Sequence, residues 1–423
     1  MYEIENINNC TLIFASFKDL DTASFGIFLK TGSRYEKKKL KGISHFLEHL
    51  LFKGSKKYSY RKIKQEIEGR GGVLNGFTSQ EFTGFYAHFL KKNLAKTADI
   101  LIDMIFNPLL KETDIEKERN VILEEIKMYN DLPSWRSLSL LDKLLWKGHS
   151  LGEDIIGYPQ TVGKIKKNQL LDFKENFYQP INTIISCAGN FEKKDVSSLI
   201  GEKIKKTSKK IYPKTTSPKN LEGINIKVET KTLQQTHLAI GFRGVSYRSE
   251  EKFTIELLNV IVGANMSSRL FNEIREKRAL CYDISSEAQK FKDCGAFIIH
   301  LGLDKNNIKK ALFTILEQLK KIKQEHVTDG ELSRAKDYIL GQISMALENP
   351  GGRMFYLAEN FITLDKIYTL EEIKSKLESV NKIDINKLAQ KIFDFENICI
   401  SCVGDIKKDT KSQIETIIKK FTK

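Results

Sequence analysis

Apolar and polar positions alternate along this chain with two different periods, and the switches between them mark out short strands and longer amphipathic helices. Thr11-Leu-Ile-Phe-Ala15 and Ser24-Phe-Gly-Ile-Phe-Leu-Lys-Thr31 read as strands, rich in aromatic and branched residues, with turn signals between them. From Gly42 to Gly54 the period lengthens. Phe46, Leu47, Leu50, Leu51 and Phe52 supply an apolar helix face there, with Ser44 expected as the N-cap. A helix around Tyr60 to Gly69, a glycine turn at Gly69 to Gly72 and two strands through Val73 to Leu90 come next. An amphipathic helix returns from Asn93 to Phe106, a charged helix covers Asp114 to Tyr129, and an apolar strand spans Thr183 to Ala188.

Between Lys203 and Asn220 large apolar residues give way to Lys, Thr, Ser and Pro, the composition of a connection. Beyond it the first half is written again. Ser24-Phe-Gly-Ile-Phe-Leu-Lys-Thr aligns with His237-Leu-Ala-Ile-Gly-Phe-Arg-Gly, and Phe85-Tyr-Ala-His with Phe297-Ile-Ile-His. Asn182-Thr-Ile-Ile-Ser-Cys-Ala-Gly matches Asn397-Ile-Cys-Ile-Ser-Cys-Val-Gly. Matches in order at a nearly constant offset indicate duplication. The expected organisation is α+β, with two homologous domains at 1–205 and 223–423 joined by a linker at 206–222.

Composition narrows the class. A chain of 423 residues can bury full cores in two or three domains. Six cysteines, Cys10, Cys187, Cys281, Cys294, Cys399 and Cys402, lie mostly inside apolar runs and suit buried thiols in a reducing compartment. Cys399 and Cys402 stand three apart on a strand-like run, so they point to opposite faces and no shared metal or redox role is expected. The first residues have neither a basic nor an apolar targeting region, and no run of about eighteen apolar residues occurs, so a soluble cytoplasmic protein without a membrane partner is expected. The net charge of +15 comes from lysines spread over the whole length, often beside glutamate. That distribution describes solvated helix faces and argues against nucleic-acid binding.

The apolar helix after Gly42 is interrupted by His45, Glu48 and His49, in the pattern H-x-x-E-H. Four apart, the two imidazoles leave one helix face a turn apart and can share a metal ion. Glu48 beside them can take the proton of an activated water. In the second copy the same positions fall on Leu258-Asn-Val-Ile-Val262, so the fold does not require the polar trio. Zinc needs a third protein ligand, and the helix from Asp114 to Met128 offers carboxylates. Glu118 and Glu125 share a face with Val121 and Met128, and Glu124 lies about 100° round from Glu125. The same helix also reads as an ordinary solvated Glu/Lys segment, and its residues alone do not choose among the carboxylates.

His45-Phe-Leu-Glu-His49 together with a glutamate at 125 resembles the M16 family of inverted-motif zinc peptidases. The resemblance implies the LuxS/MPP-like metallohydrolase fold in both domains, each a mostly antiparallel sheet with helices packed on it. It implies that His45, His49 and Glu125 bind one zinc ion per chain, that Glu48 is the base, and that Glu118 supports the site. Asn75-Gly-Phe-Thr78 is similar to the family's Asn-Ala-x-Thr strand beside the metal, where an extended substrate adds as a further strand, with Gly76 in place of the common Ala. Without the family, residues 75–78 are an ordinary strand with a glycine bend. The segment Ser267 to Tyr282 resembles the family's contribution from the opposite domain. Arg275 would hold a substrate carbonyl or carboxylate and Tyr282 would donate to the oxyanion, while Ala279 replaces the usual glycine. The implied function is zinc-dependent hydrolysis of peptides or short unfolded segments within a closed chamber. The implied assembly is a homodimer, or a heterodimer with an inactive M16 homologue. The alternative is a non-proteolytic binding or assembly subunit of an M16-type complex.

Overall fold

Pairing of the strand segments produces two sheets in the computed structural model, which describes residues 2–207 and 213–422. The first sheet holds β1 (Glu3–Ile7), β2 (Cys10–Ser16), β3 (Thr22–Leu29), β4 (Val73–Thr78), β5 (Thr83–Leu90) and β6 (Thr183–Gly189), in the order β1-β2-β6-β3-β5-β4. The second holds β7 (Asn225–Thr230), β8 (Thr236–Gly244), β9 (Cys281–Lys290), β10 (Gly295–Leu303) and β11 (Cys399–Gly404), in the order β7-β11-β8-β10-β9. Apart from β1, the two orders correspond strand for strand. Even the single parallel pairing recurs in the same place, β2 with β6 and β7 with β11, while the other ladders are antiparallel. The repeat in the sequence is therefore a repeat of topology, and the fold is α+β with two mixed sheets. Of the connection expected at 206–222, residues 208–212 lie outside the described residues.

Helices close the sheets. In chain order the ones that matter here are α1 (Ile43–Leu51), α2 (Leu94–Phe106), α3 (Glu112–Asp131), α4 (Pro133–Leu145), α5 (Lys252–Val262), α6 (Ile308–Gln324), α7 (Asp329–Leu347), α8 (Pro350–Leu364) and α9 (Thr410–Lys419). α2 packs on β3 and β5, and α1 lies against β4. β6 and β11 are buried along their whole length, which is why their sequences are continuous apolar runs rather than alternating ones. β4 is an edge strand and keeps Val73 and Asn75 exposed. α5 stands where the repeat places the counterpart of α1, and its residues Leu258 to Val262 are buried.

The two compact units are not contiguous in sequence. One consists of Met1–Lys127, Glu153–Thr216 and Ser344–Ile367, the other of Met128–Gly152, Ser217–Ile343 and Tyr368–Lys423. Contiguous halves at 1–205 and 223–423 thus describe the chain less the exchange of one helix each way. α4, from the first half, packs on β11, β8 and β7 of the second sheet, and α8, from the second half, packs on β6, β3 and β2 of the first. Each follows the long helix of its own half, α3 or α7. The fastening is duplicated as well: the Ser186 hydroxyl on β6 donates to the Met354 carbonyl at 3.0 Å, and the Ser401 hydroxyl on β11 donates to the Ser137 carbonyl at 2.6 Å. Ser186 and Ser401 are the matched serines of the sequence repeat. An amphipathic face specifies that a helix must be covered, and not by which of two similar sheets, so the exchange leaves no local trace.

All six cysteines are free thiols. Among the described residues no helix is long and apolar enough to cross a membrane.

Candidate metal centre

The chain enters α1 through Gly42, whose φ of 94° and close approach to the Ile156 carbonyl, 2.6 Å from where a Cβ would sit, admit only glycine. The helix starts at Ile43, so Ser44 lies inside the first turn and is not the N-cap that local spacing suggested. The free amides are met from outside the helix. Glu36 accepts from the Gly42 amide at 2.9 Å through Oε2 and from the Ser44 amide at 2.8 Å through Oε1. A carboxylate at a helix N-terminus is favoured by the helix dipole and satisfies two orphan donors together. Burial nevertheless pushes Glu36 up to about 7, against the pull of those amides and of Lys41. Ile43, Phe46, Leu47, Leu50 and Leu51 are buried and fix the rotation of α1, which turns His45 and His49 toward α3.

The imidazoles and Glu125 converge. Their ligand atoms all lie within 4.8 Å of one another, the one such group of three or more histidine, cysteine or acidic side chains among the described residues. Nε2 of His49 is 3.6 Å and Nε2 of His45 is 3.9 Å from Oε2 of Glu125. A tetrahedral zinc with its usual bonds separates neighbouring ligand atoms by about 3.4 Å, so this donor set fits such an ion closely. The buried Oε2 of Glu125 and Nδ1 of His45 have no hydrogen-bond partner. A buried acceptor left without a donor is costly, and a cation at the convergence point would satisfy the Glu125 oxygen. Glu118 stands behind His49: its Oε2 is 3.2 Å from Nδ1, while its Oε1 takes Lys53 at 2.6 Å. Glu124 points away and pairs with Lys127 in solvent.

Protonation states follow from this packing. Burial, helped by the neighbouring His49, drives His45 down to about 3, so it is a neutral imidazole and its approach to Glu125 is not an ion pair. Burial also works to lower His49, yet the Glu118 hydrogen bond and the charges of Glu48, Glu125 and Glu118 carry it above the ordinary value. Glu118 is held below the usual carboxylate range by His49 and Lys53, although burial opposes them. Burial pushes Glu48 up to about 7, the range in which a carboxyl can both accept and return a proton at neutral pH.

β4 lies over Glu48. A Cβ on Gly76 would meet the Phe52 ring at 2.9 Å and Oε1 of Glu48 at 3.1 Å, so the glycine leaves the carboxylate more room than alanine would. Asn75 is exposed on the open edge and accepts from the Gly76 amide at 2.8 Å. Phe77 turns to the other face and packs among Phe28, Phe82, Tyr86 and Phe355. Thr78 ends the strand with its hydroxyl buried. In the second unit Arg275 sits on a wide helical turn, Phe271–Glu276, with its guanidinium over the rings of Phe271 and Tyr282 at 4.7 and 5.8 Å. Tyr282 is exposed on β9. Between them Ala279 takes the left-handed φ of 46° that glycine adopts more readily. Sequence reasoning missed Glu36 and Lys53, because neither shares a helical face or a motif with the residues it supports.

Comparison with known proteins agrees with this architecture. The family description "Insulinase (Peptidase family M16)" matches residues 13–158, and "Peptidase M16 inactive domain" matches 164–339. The uncharacterized zinc protease YmxG of Bacillus subtilis is 33% identical over 405 residues, covering 94% of this chain and 98% of its own. An uncharacterized zinc protease of Streptomyces coelicolor is 27% identical over 414 residues, covering 96% and 90%. Among solved structures, a protease from Helicobacter pylori superposes with a TM-score of 0.90 at 22% identity, covering 95% of this chain and 99% of that one. A structure described as a peptidase M16 inactive domain, from Pseudomonas fluorescens, gives 0.88 at 17% identity, covering 96% and 98%. At those identities the structures speak for the fold alone. With a one-third-identical relative matched along nearly its full length, this chain belongs to the M16 peptidase family.

Proposed function

We propose that the protein is a zinc-dependent endopeptidase acting on peptides or short unfolded segments, with one zinc ion per chain. The observation that carries this reading is the convergence of the His45 and His49 Nε2 atoms on Oε2 of Glu125, with Glu48 one residue before His49. His45, His49 and Glu125 would hold the metal, and zinc when bound supplies Lewis acidity toward the scissile carbonyl and the attacking water. Glu48 takes the water's proton and delivers it to the leaving amine, which its raised carboxyl suits. Glu118 holds the Nδ1 proton of His49 and so keeps Nε2 free as a ligand atom. The open edge of β4, at Asn75, Gly76, Phe77 and Thr78, receives an extended substrate by backbone pairing. Arg275 and Tyr282 are assigned substrate holding and oxyanion donation on the resemblance of their segment. A cytoplasmic homodimer enclosing a chamber completes the reading.

The test compares wild type with Glu48→Gln for bound zinc and for chelator-sensitive cleavage of a quenched peptide. Wild type should bind zinc and cleave, and Glu48→Gln should keep the metal while losing roughly a hundredfold or more in rate. Equal rates would remove Glu48 from the mechanism. A wild type that binds no metal would place the chain among non-proteolytic binding or assembly subunits.

A further inference from the structure

The seam between α6 and α9 in the second unit borders the Ser267–Tyr282 segment at Arg278 and Leu280 but holds none of the residues given a role above. A cavity of about 590 Å³ opens there, lined by Leu280, Phe313, Thr314 and Ile417 together with the cations Arg278, Lys309, Lys310 and Lys420. α6 buries its other large apolar residues, Ile308, Leu312, Ile315, Leu316 and Leu319, yet leaves Phe313 43% exposed at this one place. The Phe313 ring is held edge-on by Phe421 at 5.3 Å. A second cavity of about 190 Å³ continues along the same seam, sharing Lys309 and adding Lys305 and Lys407 against a single carboxylate, Asp405. Asp405 is taken by Lys305 at 2.5 Å, and Arg278 is paired with Glu273. Lys309, Lys310, Lys407 and Lys420 make no ion pair among the described residues, in contrast to Lys419 on the same helix, which pairs with Glu415 at 2.8 Å.

An exposed aromatic beside cations that make no ion pair has two unmet demands, removal of apolar surface from water and neutralisation of like charge. One kind of partner meets both. We propose that the α6–α9 seam docks an acidic protein segment carrying a bulky apolar side chain, which seats on Phe313 while neighbouring carboxylates face Lys309, Lys310, Lys407 and Lys420. The shape of the site selects this partner over other polyanions. Single-stranded nucleic acid binds through successive stacking platforms, and Phe313 is the only aromatic among the described residues lining the two cavities. A lipid surface is engaged by a broad apolar helix face, whereas α6 exposes one large apolar side chain here, Phe313.

Fluorescence anisotropy on the full chain tests this, with a short fluorescein-labelled glutamate-rich peptide bearing one central tryptophan as the probe. Binding is expected to weaken several-fold as salt is raised from about 0.05 to 0.15 M, since the exposed charges become screened. The double variant Lys309→Glu, Lys310→Glu and, separately, Phe313→Ser should each weaken it tenfold or more, with unchanged thermal unfolding. Should the charge reversal disturb folding, Lys309→Gln with Lys310→Gln answers the same question. Undiminished binding to these variants overturns the proposal. Equal affinity for a peptide with serine in place of tryptophan removes the apolar anchor and overturns it too. Tighter binding of oligouridine or of phosphatidylglycerol vesicles, lost in the same variants, would replace the protein partner with a nucleic acid or a membrane.

Discussion

Oε2 of Glu118 stands 3.2 Å from Nδ1 of His49, and the other oxygen of the same carboxylate is held by Lys53 at 2.6 Å. The pair directs the second nitrogen of His49 at Glu125 and raises the imidazole's affinity for a proton at the same time. Zinc must displace the second proton of the charged imidazole, the one on Nε2, so metal affinity should climb with pH beyond the ordinary imidazole range of about 6.5. Glu118→Gln should weaken zinc binding by about 10–100-fold. It should also move the climb to lower pH, because His49 then loses the group that holds its proton. Competition against a chromogenic chelator across pH measures both effects. A weaker affinity with an unmoved pH dependence would reduce Glu118 to a packing residue.

Glu36 is the acceptor for two buried amides at the start of α1. Glu36→Ala should cost about 1–3 kcal/mol of stability, the range for leaving buried donors unsatisfied. Urea unfolding followed by tryptophan fluorescence reads the loss. Because the amides belong to the metal helix, bound zinc should recover part of it, and a loss indifferent to zinc would detach the cap from the site.

The matched serines should behave as a pair. Removing the Ser186 hydroxyl loosens α8, and removing that of Ser401 loosens α4. Each alanine substitution should cost about 1 kcal/mol, and amide hydrogen exchange should quicken in the one helix concerned. Faster exchange in α4 for Ser186→Ala, or in α8 for Ser401→Ala, would contradict the fastening seen here.

Glu331 at the start of α7 accepts both arms of Arg269, at 2.6 and 2.9 Å, and the Thr328 amide at 2.8 Å. Partial burial works against its charge, yet these donors hold it down to about 2. A folded pKa below the unfolded one gives stability that is complete above the ordinary carboxylate range, about 4.3, and that disappears as pH falls through about 2. The stability gap between wild type and Glu331→Gln should therefore be constant at neutral pH and shrink in acid. A gap that widens in acid would reverse the sign assigned to this group.

Much of the architecture is present in the linear pattern. Strands β2, β3 and β6 lie where branched and aromatic runs predicted them, because a buried strand must be apolar whatever its neighbours. The duplication shows in the text because both copies bury the same central strands. Glu36 and Lys53 were not legible. Glu36 acts through two amides at the start of α1 and Lys53 through one carboxylate on α3, and isolated contacts of this kind impose no period on the sequence.

What the sequence by itself determined is the polar trio at His45, Glu48 and His49, the set of carboxylates on α3, and the two copies of one sheet. The trio is set by helical periodicity, which is a local property. Spacing alone left the carboxylates of α3 open and the family resemblance named Glu125; the packing of α3 is what brings Glu125 to the two imidazoles, sets Glu118 behind His49 and leaves Glu124 in solvent. Tertiary structure alone decided that α4 and α8 change places between the units. Helices with similar apolar faces and sheets with the same strand order are locally interchangeable, so only the assembled cores settle the pairing.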